Sequence, residues 1–335
     1  MKSNVYICKT TWEIFVSILL ASDIYYDKKI KSVFVIEVAE ENINYLSKLS
    51  DFFFVSKVIP VRFSSNKYVK ALCFHYRVRY YLPKMLGEYL KSDVRVNLFI
   101  DQGVFGQYFI KNNKDVYLYE HGNGNYCVGP YPNYKMIKKF LGITEGYGRH
   151  SRVKRIYLQH PEKAPKDIIH KVTGFSIKNL YNKLFLKEQQ NLLSFFGIHK
   201  INKTSDVIIL TQPISEDGFY SEREKIEIYR EIIDSRFPSD KSRVVIKPHP
   251  RDKTNYGKYI PDVMLLPRSF PMEILNFTNI RFIKAITICS SAVYNFEYDI
   301  SVDYIGTLRY PKLIKALGRL PAQYVHKDNY KNIQY

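Results

Sequence analysis

The 335-residue sequence predicts an α/β protein made of two doubly wound domains facing a central cleft. Three observations predict it. Short apolar runs rich in Val and Ile alternate with segments of helical periodicity, the pattern of parallel strands joined by crossovers on both faces. The length exceeds what one hydrophobic core fills, and 46% hydrophobic residues are enough to build two. A stretch from about Pro130 to Ile201 lacks the alternation and reads as a connector between two such series.

In the first series the strand NVYICK precedes the helix TTWEIFVSILLASDIYY, and KSVFVIEV precedes the helix AEENINYLSKLSDFF. SKVIPV, the helical KALCFHYRVRYYLPKMLGEYLKS, and the strands VRVNLFID and DVYLYE complete it. The connector is basic and aromatic, carries several prolines, and ends in the helical IKNLYNKLFLKEQQNLLSFFGI. The second series runs from the strand SDVIILTQP through the helix SEREKIEIYREIIDSRF to SRVVIKPHP and DVMLLP. It continues with the helix PMEILNFT, the strand IKAITICS, the helix SAVYNFEY and the strand SVDYIG. The domains are accordingly drawn at 1–200, including the connector, and 201–335. The terminal GRLPAQYVHKDNYKNIQY receives no role.

Composition narrows the function classes. The most apolar window, WEIFVSILLASDIYY, is interrupted by Glu13 and Asp23 and falls short of the roughly 18 apolar residues of a membrane span. The start of the chain runs straight into a strand without an apolar leader, so an intracellular protein is expected. Cys8, Cys73, Cys127 and Cys289 are scattered without metal-ligand spacing and are expected as small core residues. A formal charge of +19 implies an anionic partner. The one dense basic patch, GRHSRVKR at 148–155, comes with no nucleic-acid-binding motif, so a phosphorylated substrate or an anionic membrane is expected rather than nucleic acid.

Open α/β sheets bind ligands beyond the carboxyl ends of their strands, so the loops there carry the candidates. In VVIKPHPRD, Pro248 and Pro250 fix the backbone on both sides of His249 and aim its imidazole, with Lys247 and Arg251 beside it to attract an anion. LTQPISEDG offers Thr211 and Gln212 as donors and Glu216 and Asp217 as carboxylates, Glu216 being equally well read as part of a helix start. Glu273, after Pro271 in PMEIL, either caps a helix or takes the hydroxyls of a ribose. Ser290 and Ser291, between a strand and a helix, form an anion site from two hydroxyls and a helix N-terminus. In the first half Glu120 ends a strand and precedes the glycine-rich HGNGN. A second His-Pro pair, His160-Pro161, lacks the preceding proline and reads as structural.

In this order the loops resemble the bacterial lipooligosaccharide and capsule sialyltransferases of glycosyltransferase family 52. VYICKTTWEIF resembles that family's first strand and loop, KPHPRD its His-Pro motif, and CSSA its Ser-Ser motif, with Ser290 41 residues after His249. The resemblance covers both domains and implies a GT-B fold of two Rossmann-like domains. It also implies inverting, metal-independent transfer of sialic acid from CMP-sialic acid, without a cofactor, to a galactose-like hydroxyl of lipooligosaccharide or capsule. On this resemblance His249 binds and protonates the departing phosphate, and Ser290, Ser291, Thr211, Gln212, Lys247 and Pro250 surround the CMP. Glu273 grips the ribose. The base is Asp217, with Glu120 as the alternative; related families place an acidic pair before a glycine where this chain has Glu120-His121-Gly122. A protonated histidine and a helix N-terminus suffice for a single phosphate without Mg²⁺.

The accompanying expectations are an oligosaccharide acceptor, peripheral association with the inner face of an anionic membrane, and allowance for a homodimer. A polysialyltransferase, a GT-B enzyme with another nucleotide sugar, and a non-catalytic nucleotide-sugar-binding protein are the alternatives.

Overall fold

The computed structural model describes residues 3–63, 73–126, 146–198 and 206–326. Cys127, residues 130–145 and 199–201 of the expected connector, the first residues of the helix expected from Lys70, and the tail from Lys327 lie outside them. The chain forms two compact units, Met1–Gln189 and Gln190–Tyr335.

The first unit is built on a parallel sheet of β1 (Ser3–Cys8), β2 (Ser32–Glu37), β3 (Val55–Val61), β4 (Val94–Leu98), β5 (Val116–Tyr119), β6 (Val153–Leu158) and β7 (Val172–Gly174). Their order is β3-β2-β1-β4-β5-β6-β7. β1 sits between β2 and β4, with Val5 level with Val33 on one side and Val96 on the other. β1 and β2 are buried almost throughout, which is why they are continuous apolar runs. The helix Thr11–Lys28 packs on this sheet. It opens with a capping box in which the Thr10 hydroxyl accepts from Glu13 N–H and the Glu13 carboxylate accepts from Thr10 N–H, each at 3.2 Å. Ile14, Phe15, Val16, Ile18 and Leu19 are all buried, so the apolar character of this window serves the core. Among the described residues no helix is long and apolar enough to cross a membrane.

The connector expectation needs correction. Residues 153–174 supply β6 and β7, which extend the first sheet. They escape notice in sequence because Lys154 and Arg155 of β6 are exposed and break the apolar run. The helix Val104–Lys111 was also not expected; its Gly106 lies where a Cβ would come within 2.3 Å of the Asp101 carbonyl oxygen. The helix expected at AEENINYLSKLSDFF is reduced to the short turns Ile43–Tyr45 and Leu46–Leu49.

The second unit carries β8 (Val207–Leu210), β9 (Val244–Lys247), β10 (Met264–Leu265), β11 (Lys284–Thr287), β12 (Ser301–Tyr304) and β13 (Gln323–His326). The order is β10-β9-β8-β11-β12-β13, parallel except for β13, so the tail that had no role begins as an antiparallel edge strand. The crossovers leave β8 in one direction toward β9 and β10 and return to its other side with β11, which puts the switch point between β8 and β11. Two expected helices are single 3-10 stretches, Met272–Phe277 and Ser291–Asn295. Cys8 is buried as expected, whereas Cys73 and Cys289 are half-buried; all three are free thiols.

Candidate functional site

Two threonines at the ends of β8 and β11 anchor the loops of the second unit. Thr211 N–H donates to the Lys247 carbonyl at 3.3 Å, and its hydroxyl accepts from His249 N–H at 3.3 Å. The Thr287 hydroxyl donates to the Leu210 carbonyl at 2.9 Å and accepts from Ser290 N–H at 3.1 Å. The His-Pro loop and the Ser-Ser loop are thereby tied to the same central strand, one on each side. Thr211 is buried and locks a loop. The Gln212 backbone N–H is likewise held, by the Tyr229 hydroxyl at 2.7 Å.

Beneath His249 lies a buried polar cluster that sequence reasoning passed over. Asp252 N–H donates to the His249 carbonyl at 2.8 Å, closing the turn that contains Pro250. The Asp252 carboxylate accepts from Thr211 Oγ1 at 2.5 Å, Tyr256 OH at 2.8 Å, Thr254 N–H at 3.1 Å and Lys225 Nζ at 2.8 Å. Lys225 is fully buried and also donates to both oxygens of Glu216, at 2.9 and 2.8 Å. Glu216 in turn accepts from Lys253 N–H at 2.8 Å, so it is structural. An ammonium shared by two carboxylates satisfies a charge that would otherwise be costly to bury. Asp252 was visible as the last residue of KPHPRD, but Lys225 is 27 residues away on another element, and no local pattern joins them.

The histidine itself is held in one chemical orientation. His249 Nδ1 accepts from Arg251 N–H at 3.1 Å, so in the neutral ring the proton resides on Nε2. Burial, aided by the cations of Arg251 and Lys247, pushes its pKa down to about 4. A neutral ring in this orientation offers a single N–H donor, at Nε2.

Lys247 fastens the same loop. Its Nζ donates to the carbonyls of Pro248 at 2.9 Å and Arg268 at 3.1 Å and lies 4.5 Å from the Phe270 ring centroid. Burial pushes its pKa down to about 7. Arg251 forms a two-pronged ion pair with Asp217, at 2.5 and 3.2 Å. Asp217 sits before Gly218, whose φ of +79° turns the chain there, and its carboxylate pairs with the Arg251 guanidinium. Glu273 accepts from Asn295 Nδ2 at 2.8 Å, which joins the Met272–Phe277 turn to the Ser-Ser turn. Ser290 caps that turn by accepting from Ala292 N–H at 3.4 Å, and Ser291 is exposed. With only five residues in this 3-10 stretch, the helix dipole expected here is small, and hydroxyls and local N–H groups are what the turn offers an anion.

Glu120 belongs to the first unit and does not present a free carboxylate. It accepts from Gln159 N–H at 2.7 Å, from Gln159 Nε2 at 3.1 Å, and from the Tyr126 hydroxyl. It therefore fixes its loop to the end of β6. The next residue, His121, places Nδ1 2.8 Å from Oε1 of the buried Glu13. The capping box occupies Glu13 Oε2, and the fold brings Oε1 to a side chain beyond β5. His160 heads the Pro161–Lys163 turn, with its N–H on Tyr126 OH at 3.2 Å. Among the described residues no group of three or more His, Cys, Asp or Glu side chains is placed to hold a metal ion.

The sequence profile of glycosyltransferase family 52 matches residues 27–309. An uncharacterised protein of Haemophilus influenzae is 36% identical over 208 residues, which cover 61% of this chain and 66% of that protein. The chain thus spans about two thirds of the length of the relative it matches. Among solved structures, the GT-B domain of a Photobacterium damselae sialyltransferase aligns with a TM-score of 0.51 at 13% identity, covering 89% of this chain and 88% of that one. A UDP-GlcNAc 2-epimerase from Neisseria meningitidis aligns with a TM-score of 0.52 at 12% identity, covering 94% and 85%. At such identities these structures establish the GT-B fold.

Proposed function

The chain belongs to glycosyltransferase family 52, and within that family we propose that it is an inverting sialyltransferase using CMP-sialic acid. The observation that carries this reading is His249, a neutral imidazole fixed between two prolines with its Nε2–H unclaimed by the Arg251 contact, beside the switch point of the second sheet. A CMP donor has one phosphate. A neutral N–H, the Ser290 and Ser291 hydroxyls and nearby backbone N–H groups match such a group without the divalent metal that a pyrophosphate more often demands.

In the reaction an acceptor hydroxyl oxygen bonds to the anomeric carbon from the face opposite the phosphate. The bond from that carbon to the phosphate oxygen breaks, and its electron pair leaves with CMP. His249 donates its hydrogen bond to the departing oxygen, and the growing negative charge draws the proton toward it. Glu273, oriented by Asn295, serves the ribose. The second unit holds the donor, and the first holds a galactose-like acceptor of lipooligosaccharide or capsule.

Work at the inner face of a membrane is supported by the surface of the first unit. Phe53, Phe185 and Leu186 are exposed, and Tyr25 and Tyr26 link them through ring contacts of 5.0 Å to Phe53 and 5.1 Å to Phe185. Lys29 lies over both tyrosines, with Lys28 and Lys187 exposed nearby, a combination suited to an anionic interface.

The test is transfer from CMP-sialic acid to lactose-terminated oligosaccharide, run beside UDP- and GDP-sugars and with EDTA. Turnover confined to the CMP donor and insensitive to EDTA is expected. Turnover with another nucleotide sugar alone would overturn the reading, and no turnover with CMP binding retained would favour a binding protein.

A further inference from the structure

We propose that a cavity on one face of the first sheet binds a small organic monocarboxylate, with Arg95 as its anchor. The site lies wholly within the first unit and does not depend on the transfer reaction proposed above. The cavity holds about 320 Å³, a size suited to a small ligand. It is lined by the second half of the helix Thr11–Lys28, by the helix Ile177–Asn182 and by side chains of β4, β5 and β6. That helix begins at the carboxyl end of β1, so its second half is set back from the edge where Glu120 and His121 stand.

Arg95 stands between the buried Val94 and Val96 in β4, the middle strand of seven. A guanidinium in such a place is costly unless its donors are satisfied. Nε donates to Asn97 Oδ1 at 3.1 Å, and Nη2 donates to the hydroxyls of Tyr157 at 2.9 Å and Tyr119 at 3.3 Å. Its central carbon lies 3.8 Å from the Tyr117 ring centroid. All of these partners are neutral, and among the described residues Nη1 makes no hydrogen bond. Asp23, the carboxylate of the lining, is bonded to Lys183 at 2.6 Å. Two cations and one carboxylate therefore face the cavity, and the positive charge of Arg95 is the one left without a counter-charge.

The donors around that charge are arranged for an oxyanion. The Tyr119 and Tyr157 rings are stacked with centroids 4.5 Å apart, which holds their hydroxyls side by side. Both oxygens accept from Arg95, so each keeps its own O–H proton to donate. Nη1 and these two hydroxyls give three donors for the two oxygens of a carboxylate. Leu20, Ile24, Phe175 and Leu180 form apolar walls that suit a compact apolar body behind it. The single uncompensated charge selects a monoanion, whereas a phosphate monoester carries about −1.5 to −2 at pH 7.

The probe is para-fluorobenzoate, followed by ¹⁹F NMR titration of the whole chain, with para-fluorobenzamide as its uncharged counterpart. The benzoate should bind saturably and the benzamide at least about tenfold more weakly. Arg95→Lys, which keeps the charge and removes the fork, should lower benzoate affinity by about tenfold. Asp23→Asn, at the half-exposed mouth, frees Lys183 and should raise it by about threefold. His249→Ala should leave it within about twofold, because that loop belongs to the other unit. Absence of saturable binding by the parent, equal binding of the benzamide, or equal competition by inorganic phosphate overturns the proposal. Loss of binding in His249→Ala also overturns it, since the probe then occupies the donor loop. Should Arg95→Lys fail to fold, Asp23→Asn decides, and no gain in affinity there overturns the assignment.

Discussion

Each unit has a histidine just beyond the carboxyl end of a parallel strand, and the two are wired in opposite senses. His249 follows β9, and its Nδ1 accepts from a backbone N–H. His121 follows β5, and its Nδ1 faces a buried carboxylate. The same side chain on the same kind of strand end thus has a backbone N–H at its inner nitrogen in one unit and a carboxylate in the other. The prolines beside His249 determine only where that ring points.

The comparison breaks first at His249. Replacing it with alanine should lower transfer by about 10³-fold, because the Nε2–H aimed by this loop is then lost, and initial-rate assays at saturating donor read this directly. A change under tenfold would mean that the leaving group is stabilised elsewhere, and the acid half of the comparison would fail.

Among the described residues, the buried cluster under His249 has no counterpart of equal charge beside His121. Asp252→Asn leaves Lys225 buried with only Glu216 as counter-charge and removes an acceptor used by Thr211 and Tyr256. Breaking such a pair costs about 3–5 kcal/mol, which urea unfolding should register as a lower midpoint with an unchanged m-value. Lys225→Met combined with Asp252→Asn should recover part of that loss, because the unpaired buried charge is then gone. If Asp252→Asn is neutral, the cluster does not support the His-Pro loop.

Asp217→Asn sharpens the assignment of the base. With Asp217 as the proton acceptor this change should lower kcat by about 10²–10³-fold, read at saturating donor and acceptor. A loss under tenfold, the size expected for merely releasing Arg251, would remove Asp217 from that role and leave it a partner of the guanidinium.

Much of the second unit was legible because β8, β9 and β11 are continuous apolar runs that end in punctuated loops, so Thr211, His249 and Ser290 could be placed at strand ends from sequence. Their roles were less legible. Lys247 follows a strand in sequence, but only the fold shows that its stem is buried and its ammonium spent on two carbonyls. PMEILNFT and SAVYNFEY have helical spacing yet stop after one or two 3-10 turns, because Asn276 and Asn295 bind across the two segments instead of continuing either helix. Glu13 and His121 lie 108 positions apart, and only the adjacency of β1, β4 and β5 brings their loops together.

The pH behaviour of His249 gives a gentler test. Burial and two neighbouring cations oppose a proton on this ring, so in the free protein its ¹³C and ¹⁵N resonances should show the neutral form down to about pH 4. The unfolded chain takes up that proton near the usual value of about 6.5. Between the two values the unfolded state binds more protons, so this residue's contribution to stability is full above pH 6.5 and declines as pH falls toward 4. CMP should raise the value, since a phosphate oxygen on Nε2 favours the cation. A midpoint near 6.5 without ligand would contradict the desolvated donor.

The smallest expected effect concerns the surface that distinguishes the first unit. Phe185→Glu with Leu186→Glu places two charges at the most exposed apolar positions of the aromatic patch. Binding to phosphatidylglycerol vesicles should weaken by about tenfold, since each basic residue near an anionic surface contributes only about 1 kcal/mol and the patch adds its buried apolar area. Transfer to a soluble acceptor should stay unchanged, which separates docking from chemistry. Equal cosedimentation of parent and variant with phosphatidylglycerol, or parent binding that is as strong to phosphatidylcholine, would remove the patch as the membrane contact and leave the lysines of this unit as solvated surface charge.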